Sequence, residues 1–266
     1  MKIRDAFVTL ATIAAASLPS ASARAGLPVI VAQDNADFPA YAPQPNHNWS
    51  PINGGFGYNT WTPLSDTSGG GTYMEGVGVN GRQTEGNFSF ALYSGSGAFD
   101  ISRPLSSSIA SGEFDILTRF DIAGSGPNLV SLRAGNNTSS FASGELISFG
   151  IVNGNSLDYT DGSGFHALPS GESRGSVWAW SIDFDAAAGT YSGSVTNLGG
   201  GFAAFFNGSL EAGGTSVGSF AVINSSTGNN QNVIFDVPTF SVVPEPSTVS
   251  LLVLGLAGAF CRRRRN

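Results

Sequence analysis

Between residues 26 and 243 no stretch keeps the apolar period of a helix; short runs alternate apolar with polar residues instead. Gly112-Glu113-Phe114-Asp115-Ile116-Leu117-Thr118-Arg119-Phe120-Asp121-Ile122 is the clearest, with Phe114, Ile116, Thr118, Phe120 and Ile122 on one face. Val177-Trp178-Ala179-Trp180-Ser181-Ile182-Asp183-Phe184 sets Trp178, Trp180, Ile182 and Phe184 opposite smaller side chains. Further runs lie at 88–93, 129–133, 146–152, 190–195, 201–206, 220–223 and 233–242, separated by Gly, Asn, Ser and Asp. Asp185-Ala186-Ala187-Ala188-Gly189 reads as a hairpin turn with Gly189 free to take positive φ. The 36 glycines, about double the usual share, are turn chemistry for many strands. They show no three-residue period, which excludes collagen. Charged residues at 12% exclude a coiled coil and a highly charged disordered chain.

A chain of this kind predicts an all-β fold, an antiparallel β-sandwich over residues 75–243. Residues 26–74, rich in Pro, Asn, Gly and Ser, are expected to form an irregular N-terminal lobe of the same domain. The segment Trp180-Ser181-Ile182-Asp183-Phe184-Asp185, a small turn, Gly189-Thr190-Tyr191-Ser192 and then Val195 resembles the paired strands of concanavalin A-like and laminin-G-like jelly rolls. That resemblance implies a jelly roll; an immunoglobulin-like sandwich is the alternative.

The two ends read differently. Lys2 and Arg4 precede the small apolar stretch Ala6–Leu18, and Ala23-Arg24-Ala25 supplies an A-x-A site, with Ala23 and Ala25 as the small residues. This order predicts a signal peptide over residues 1–25, a short helix cut by signal peptidase. At the other end Pro244-Glu245-Pro246 leads into an apolar run ending at Cys261, then Arg262, Arg263, Arg264 and Arg265. Such a run rises only ~21 Å, but four arginines at the chain end are hard to bury, so a C-terminal transmembrane helix is expected. Residues 244–266 resemble the PEP-CTERM sorting signal, with its three parts in order. The resemblance implies an exported protein of a Gram-negative bacterium that makes exopolysaccharide. It also implies transient anchoring in the inner membrane, cleavage near Pro-Glu-Pro by a membrane exosortase, and delivery to the cell surface or matrix.

Removing both ends leaves five arginines, no lysine and 17 acids, a net charge of −12 against −7 for the whole chain. A phosphate backbone repels such a body, which argues against nucleic-acid binding. The single Cys261 excludes a disulfide framework and lies in the tail.

Few residues offer chemistry. Glu113 and Asp115 point the same way from one strand, and paired carboxylates are what glycosidases use. Glu113-Phe114-Asp115-Ile116 looks like the start of the acidic strand motif of laminarinase-type jelly-roll hydrolases. That motif needs another Glu shortly after, where Leu117 and Thr118 stand. Asp183 and Asp185 form a second pair. Asp158 and Asp161 offer oxygen ligands to Ca²⁺ without the spacing of a calcium loop, and a plain turn is the alternative. Neither His47 nor His166 sits in a recognised catalytic pattern. Trp49, Tyr58 and Trp61, with Tyr41 and Phe56, are candidates to stack on sugar rings, or else form a small core under a loop. No catalytic residue, metal site or cofactor is assigned beyond the Ca²⁺ candidate. The expectation is a non-enzymatic structural or adhesive surface protein, with glycan binding in exopolysaccharide as its finer form. The alternatives are a jelly-roll hydrolase or lyase and a ligand-free matrix protein.

Overall fold

The structure, a computed structural model, describes residues 27–243 apart from 42–48, 50–51, 67–69, 77–83, 85, 96, 122–125, 136–143, 153–154, 172–173, 212 and 226–231. Among the described residues there are fifteen strands and no helix. They are β1 (Val29–Gln33), β2 (Thr62–Asp66), β3 (Gly71–Gly76), β4 (Phe88–Tyr93), β5 (Phe99–Ile109), β6 (Ser111–Asp121), β7 (Asn128–Ala134) and β8 (Glu145–Ile151). The rest are β9 (Asp158–Asp161), β10 (Gly164–Ala167), β11 (Val177–Asp185), β12 (Thr190–Asn197), β13 (Ala203–Ser209), β14 (Val217–Asn224) and β15 (Asn232–Val242). The terminal helices expected within 1–25 and 244–266 lie outside the described residues.

The strands form two antiparallel sheets. One runs β13-β12-β11-β6-β15-β4-β3, with β1 also paired to β15; the other runs β10-β9-β8-β7-β14-β5-β2. From β4 to β7 the chain alternates between the sheets. The closing strands then return into them, β14 between β5 and β7 and β15 between β4 and β6. This crossing is the double Greek key of a jelly roll.

The alternation in the sequence explains the packing. Phe114, Ile116, Thr118 and Phe120 of β6, and Trp178, Trp180, Ile182 and Phe184 of β11, all turn inward and are buried. Trp180 packs on Phe149 of the facing sheet at 4.7 Å between ring centres. Its indole N–H donates to Thr118 Oγ1 at 2.9 Å, which satisfies the one polar side chain on that face. Each large apolar side chain so buried contributes roughly 1.5–3 kcal/mol. The β11–β12 hairpin closes as the sequence predicts: Asp185 accepts the Ala188 N–H and Gly189 takes φ +69°.

Residues 26–74, expected as an irregular lobe, instead give strands to both sheets. β1 joins β15, β2 joins β5 and β3 joins β4. The boundary expected at 74/75 falls inside β3. Pairing to other strands, for β1 to the last strand of the domain, holds these residues extended, which their Pro- and Gly-rich composition conceals.

Candidate functional site

Register decides which side chains meet on the outer face of the larger sheet. β6 and β11 set Glu113 beside Asp183 and Asp115 beside Ser181. β12 continues these rows with Ser192 and Ser194, and β13 with Asn207 and Phe205. On the other flank β15 places Ser241 next to Glu113 and Thr239 next to Asp115. Alternate residues of the same strands fill the core, so both rows face outward. A groove of about 410 Å³ runs along the Asp115 row, lined by Asp115, Leu117, Ser181, Ser194, Thr196 and Thr239. That volume lies in the range of small-ligand sites.

The electrostatics of the groove follow from crowding. Burial, then the Glu113 and Asp183 carboxylates, push Asp115 up to about 6, while the Ser181 hydroxyl pulls the other way. Ser181 Oγ donates to Glu113 at 2.7 Å. Around neutral pH the face thus presents carboxylate acceptors beside hydroxyls that can donate or accept.

One wall of the groove is strained. Val237, a β-branched residue, sits at φ +51° where β15 bulges between Asp236 and Thr239. Asp236 holds the bulge by accepting the N–H groups of Val237 at 2.8 Å and Ala36 at 3.0 Å. The Pro238 carbonyl accepts from Tyr58 Oη at 3.0 Å and from the Asp34 N–H at 3.1 Å. Strain of this kind persists where the surroundings over-determine it, and it clusters at binding sites.

The sequence-predicted residues fall elsewhere. Trp49, Tyr58 and Trp61 are at most 5% exposed and cannot stack on a sugar. They pack with Phe90, Phe220, Phe235 and Phe240 inside the sandwich, Trp49 lying 4.7 Å from Trp61. Of that aromatic group only Phe56 is exposed. Asp158 and Asp161 are not brought together, because residues three apart on a strand point to opposite faces. Asp158 accepts the Val152 N–H, and Asp161 accepts from Ser163, Tyr191 and His166. Burial alone would raise the Asp161 pKa, but those donors outweigh it and hold the carboxyl below its usual range. Among the described residues no three His, Cys, Asp or Glu side chains are grouped for a metal. Ala23, Ala25, Pro244, Glu245, Pro246 and Arg262 to Arg265 lie outside the described residues.

A serine, a histidine and an aspartate do come together. Ser163 Oγ lies 2.9 Å from His166 Nε2, which lies 3.0 Å from Asp161 Oδ1. Both contacts use one ring nitrogen, and Ser163 Oγ itself lies 2.7 Å from Asp161. A proton relay needs the two nitrogens to face different partners, so this is a turn clasp and not a triad.

Sequence reasoning missed Ser181, Ser194, Thr196, Thr239, Val237 and Phe205. The outward parity of Ser181, Ser194, Thr196 and Phe205 was readable, but Val237 and Thr239 share the parity of the core residues Val233 and Phe235 until the β15 bulge shifts it, and the adjacency of all six depends on the order of four strands.

Among solved structures the chain is similar to peanut lectin with a nonapeptide (TM-score 0.46, 11% identity, covering 70% of this chain and 98% of that one). It is similar to the T. cruzi calreticulin globular domain (0.46, 10%, 72% and 87%) and to lectin I from Ulex europaeus in complex with the methyl glycoside of α-L-fucose (0.46, 10%, 68% and 96%). No curated protein matches the chain. Residues 242–265 match the PEP-CTERM protein-sorting motif, and the chain is therefore an exported jelly-roll protein that carries this signal behind its last strand.

Proposed function

We propose that the protein is a component of the cell surface or exopolysaccharide matrix that binds glycans on the outer face of its larger sheet without cleaving them. The observation that carries the reading is the groove across β6, β11 and β12, where Asp115, Ser181, Ser194 and Thr196 line one surface. Sugar hydroxyls are recognised by acceptor carboxylates and adaptable hydroxyls of this sort. Catalysis is not part of the proposal. Glu113 and Asp115 stand side by side on one strand rather than across a bond, and Leu117 occupies a place where a hydrolase of the resembling type needs a carboxylate. No cofactor enters it.

The test is a glycan array followed by calorimetry on the best binder. Binding is expected to weaken as pH falls from 7.5 through about 6, because Asp115 loses its charge there. Asp115→Asn should cost roughly tenfold in affinity and remove that pH dependence. An array without a single binder, or an Asp115→Asn variant that binds like the parent, overturns the reading. Release of reducing ends from the bound glycan would replace it with hydrolysis.

A further inference from the structure

The end of the larger sheet at β13 is unlike the other edges. An exposed strand edge is a template for another strand, and proteins blunt such edges with prolines, bulges, shortness or a covering group. β2 carries Pro63 and a bulge. β10 is four residues long and clasped by His166 to Asp161. The β3 edge is covered where Trp49 Nε1 donates to the Tyr73 carbonyl at 2.9 Å. β1 has a bulge, and its Gln33 exchanges backbone bonds with Phe56. β13 has no proline, no bulge and no charged residue.

Its free groups can be assigned. The Asn197 N–H donates to the Phe202 carbonyl and the Leu210 N–H to the Gly189 carbonyl. Alternation between these two points turns the N–H and C=O of Ala204, Phe206 and Gly208 toward β12. Those of Ala203, Phe205 and Asn207 therefore point outward. Beyond them the Ser209 carbonyl is taken by the Gly162 N–H at 2.9 Å, which closes the open stretch. At its centre Phe205 is 88% exposed, the largest value for a big apolar side chain among the described residues.

We propose that β13 is a homodimer seam, pairing antiparallel with β13 of a second copy about a two-fold axis at Phe205. In this register Phe205 faces Phe205 of the second copy, and Ala203 faces its Asn207 on both sides of the axis. All outward groups of the three residues are satisfied, and two exposed aromatic rings meet. A second copy is the fitting partner because the open stretch is self-complementary under a two-fold. It also carries no charge, although the body is net −12, so the seam opposes no like charges and gives a charged partner no hold. The row Thr239, Asp115, Ser181, Ser194, Phe205 then continues across the axis into its own mirror sequence. The seam stands on the edge geometry and not on the glycan reading.

The test uses the full chain in detergent with Cys261→Ser. Light scattering should give twice the chain mass, and Phe205→Lys should weaken association by roughly tenfold or more while the β-sheet circular dichroism is kept. Directly paired residues of this kind have Cα atoms about 5.5 Å apart, a span that suits a disulfide. Phe205→Cys should thus cross-link to itself under mild oxidation. Ala203→Cys alone should not, but should cross-link to Asn207→Cys when the two proteins are mixed. A monomer at ~100 µM, well above ordinary dimer affinities, or a dimer that survives Phe205→Lys, overturns the proposal. Cross-linking of Ala203→Cys to itself overturns the register.

Discussion

At the scale of single residues the strongest commitment is a buried ion pair. Arg103 Nη2 lies 2.9 Å from Asp34 Oδ2, and both side chains are fully buried. Tyr41 Oη donates to the same Asp34 oxygen at 2.7 Å, and Asn53 also receives Arg103. The guanidinium lies 5.2 Å from the centre of the Tyr58 ring and 4.9 Å from that of Trp61. Burial pushes the Asp34 carboxyl up and the Arg103 guanidinium down, and the charge of each partly offsets the shift of the other. Removing one partner leaves a bare buried charge. Asp34→Ala should lower the unfolding free energy by about 3–5 kcal/mol in denaturant titration, and adding Arg103→Met should recover part of that loss. A single-variant loss below ~1 kcal/mol would show the pair to be idle. Nothing in the sequence announces this pair, since Asp34 and Arg103 are far apart and each looks like an ordinary surface charge. The same distance misleads about Trp49 and Trp61. Their Pro- and Asn-rich neighbours suggest exposure, yet long-range packing takes them into the core.

At the scale of elements the strands with strict alternation were readable. The run at 88–93 is β4, and 177–184 and 190–195 are β11 and β12 to within two residues. Their apolar period of two needs no partner to be seen. β5 was not readable: Phe99–Ile109 includes Pro104 and a serine run. Pro104 is tolerated there because it faces Ser219 beside a bulge, and its carbonyl still accepts the Asn59 N–H at 2.8 Å. The groove was partly readable, since Asp115 stood out while Ser181 and Ser194 beside it did not. The β15 bulge gives a prediction at this scale. Val237→Gly removes the penalty for a β-branched residue at positive φ, partly offset by the greater freedom of glycine in the unfolded chain. The variant should melt higher by a margin worth about 1 kcal/mol. A lower melting temperature would mean that the Val237 side chain contributes more than its strain costs.

At the scale of the whole molecule, the composition that looked only mildly acidic is a strongly acidic body between basic ends. The sorting motif gives the C-terminal end a purpose in export. Intact-mass measurement of protein recovered from producing cells is expected to show a chain from Gly26 to near Pro244. A surface form that keeps Arg262 to Arg265 would rule out cleavage at that motif. Strand order then bears on how such a protein travels. β15 is the last strand in the chain, yet it lies inside the larger sheet, between β6 and β4, with β1 along its final residues. Until Val242 has been delivered, β4 and β6 lack the strand that joins them and β1 lacks its ladder with β15. A chain delivered N-terminus first therefore cannot close its larger sheet early. The sorting motif begins at residue 242, where β15 ends, so the jelly roll completes itself only as the sorting segment emerges.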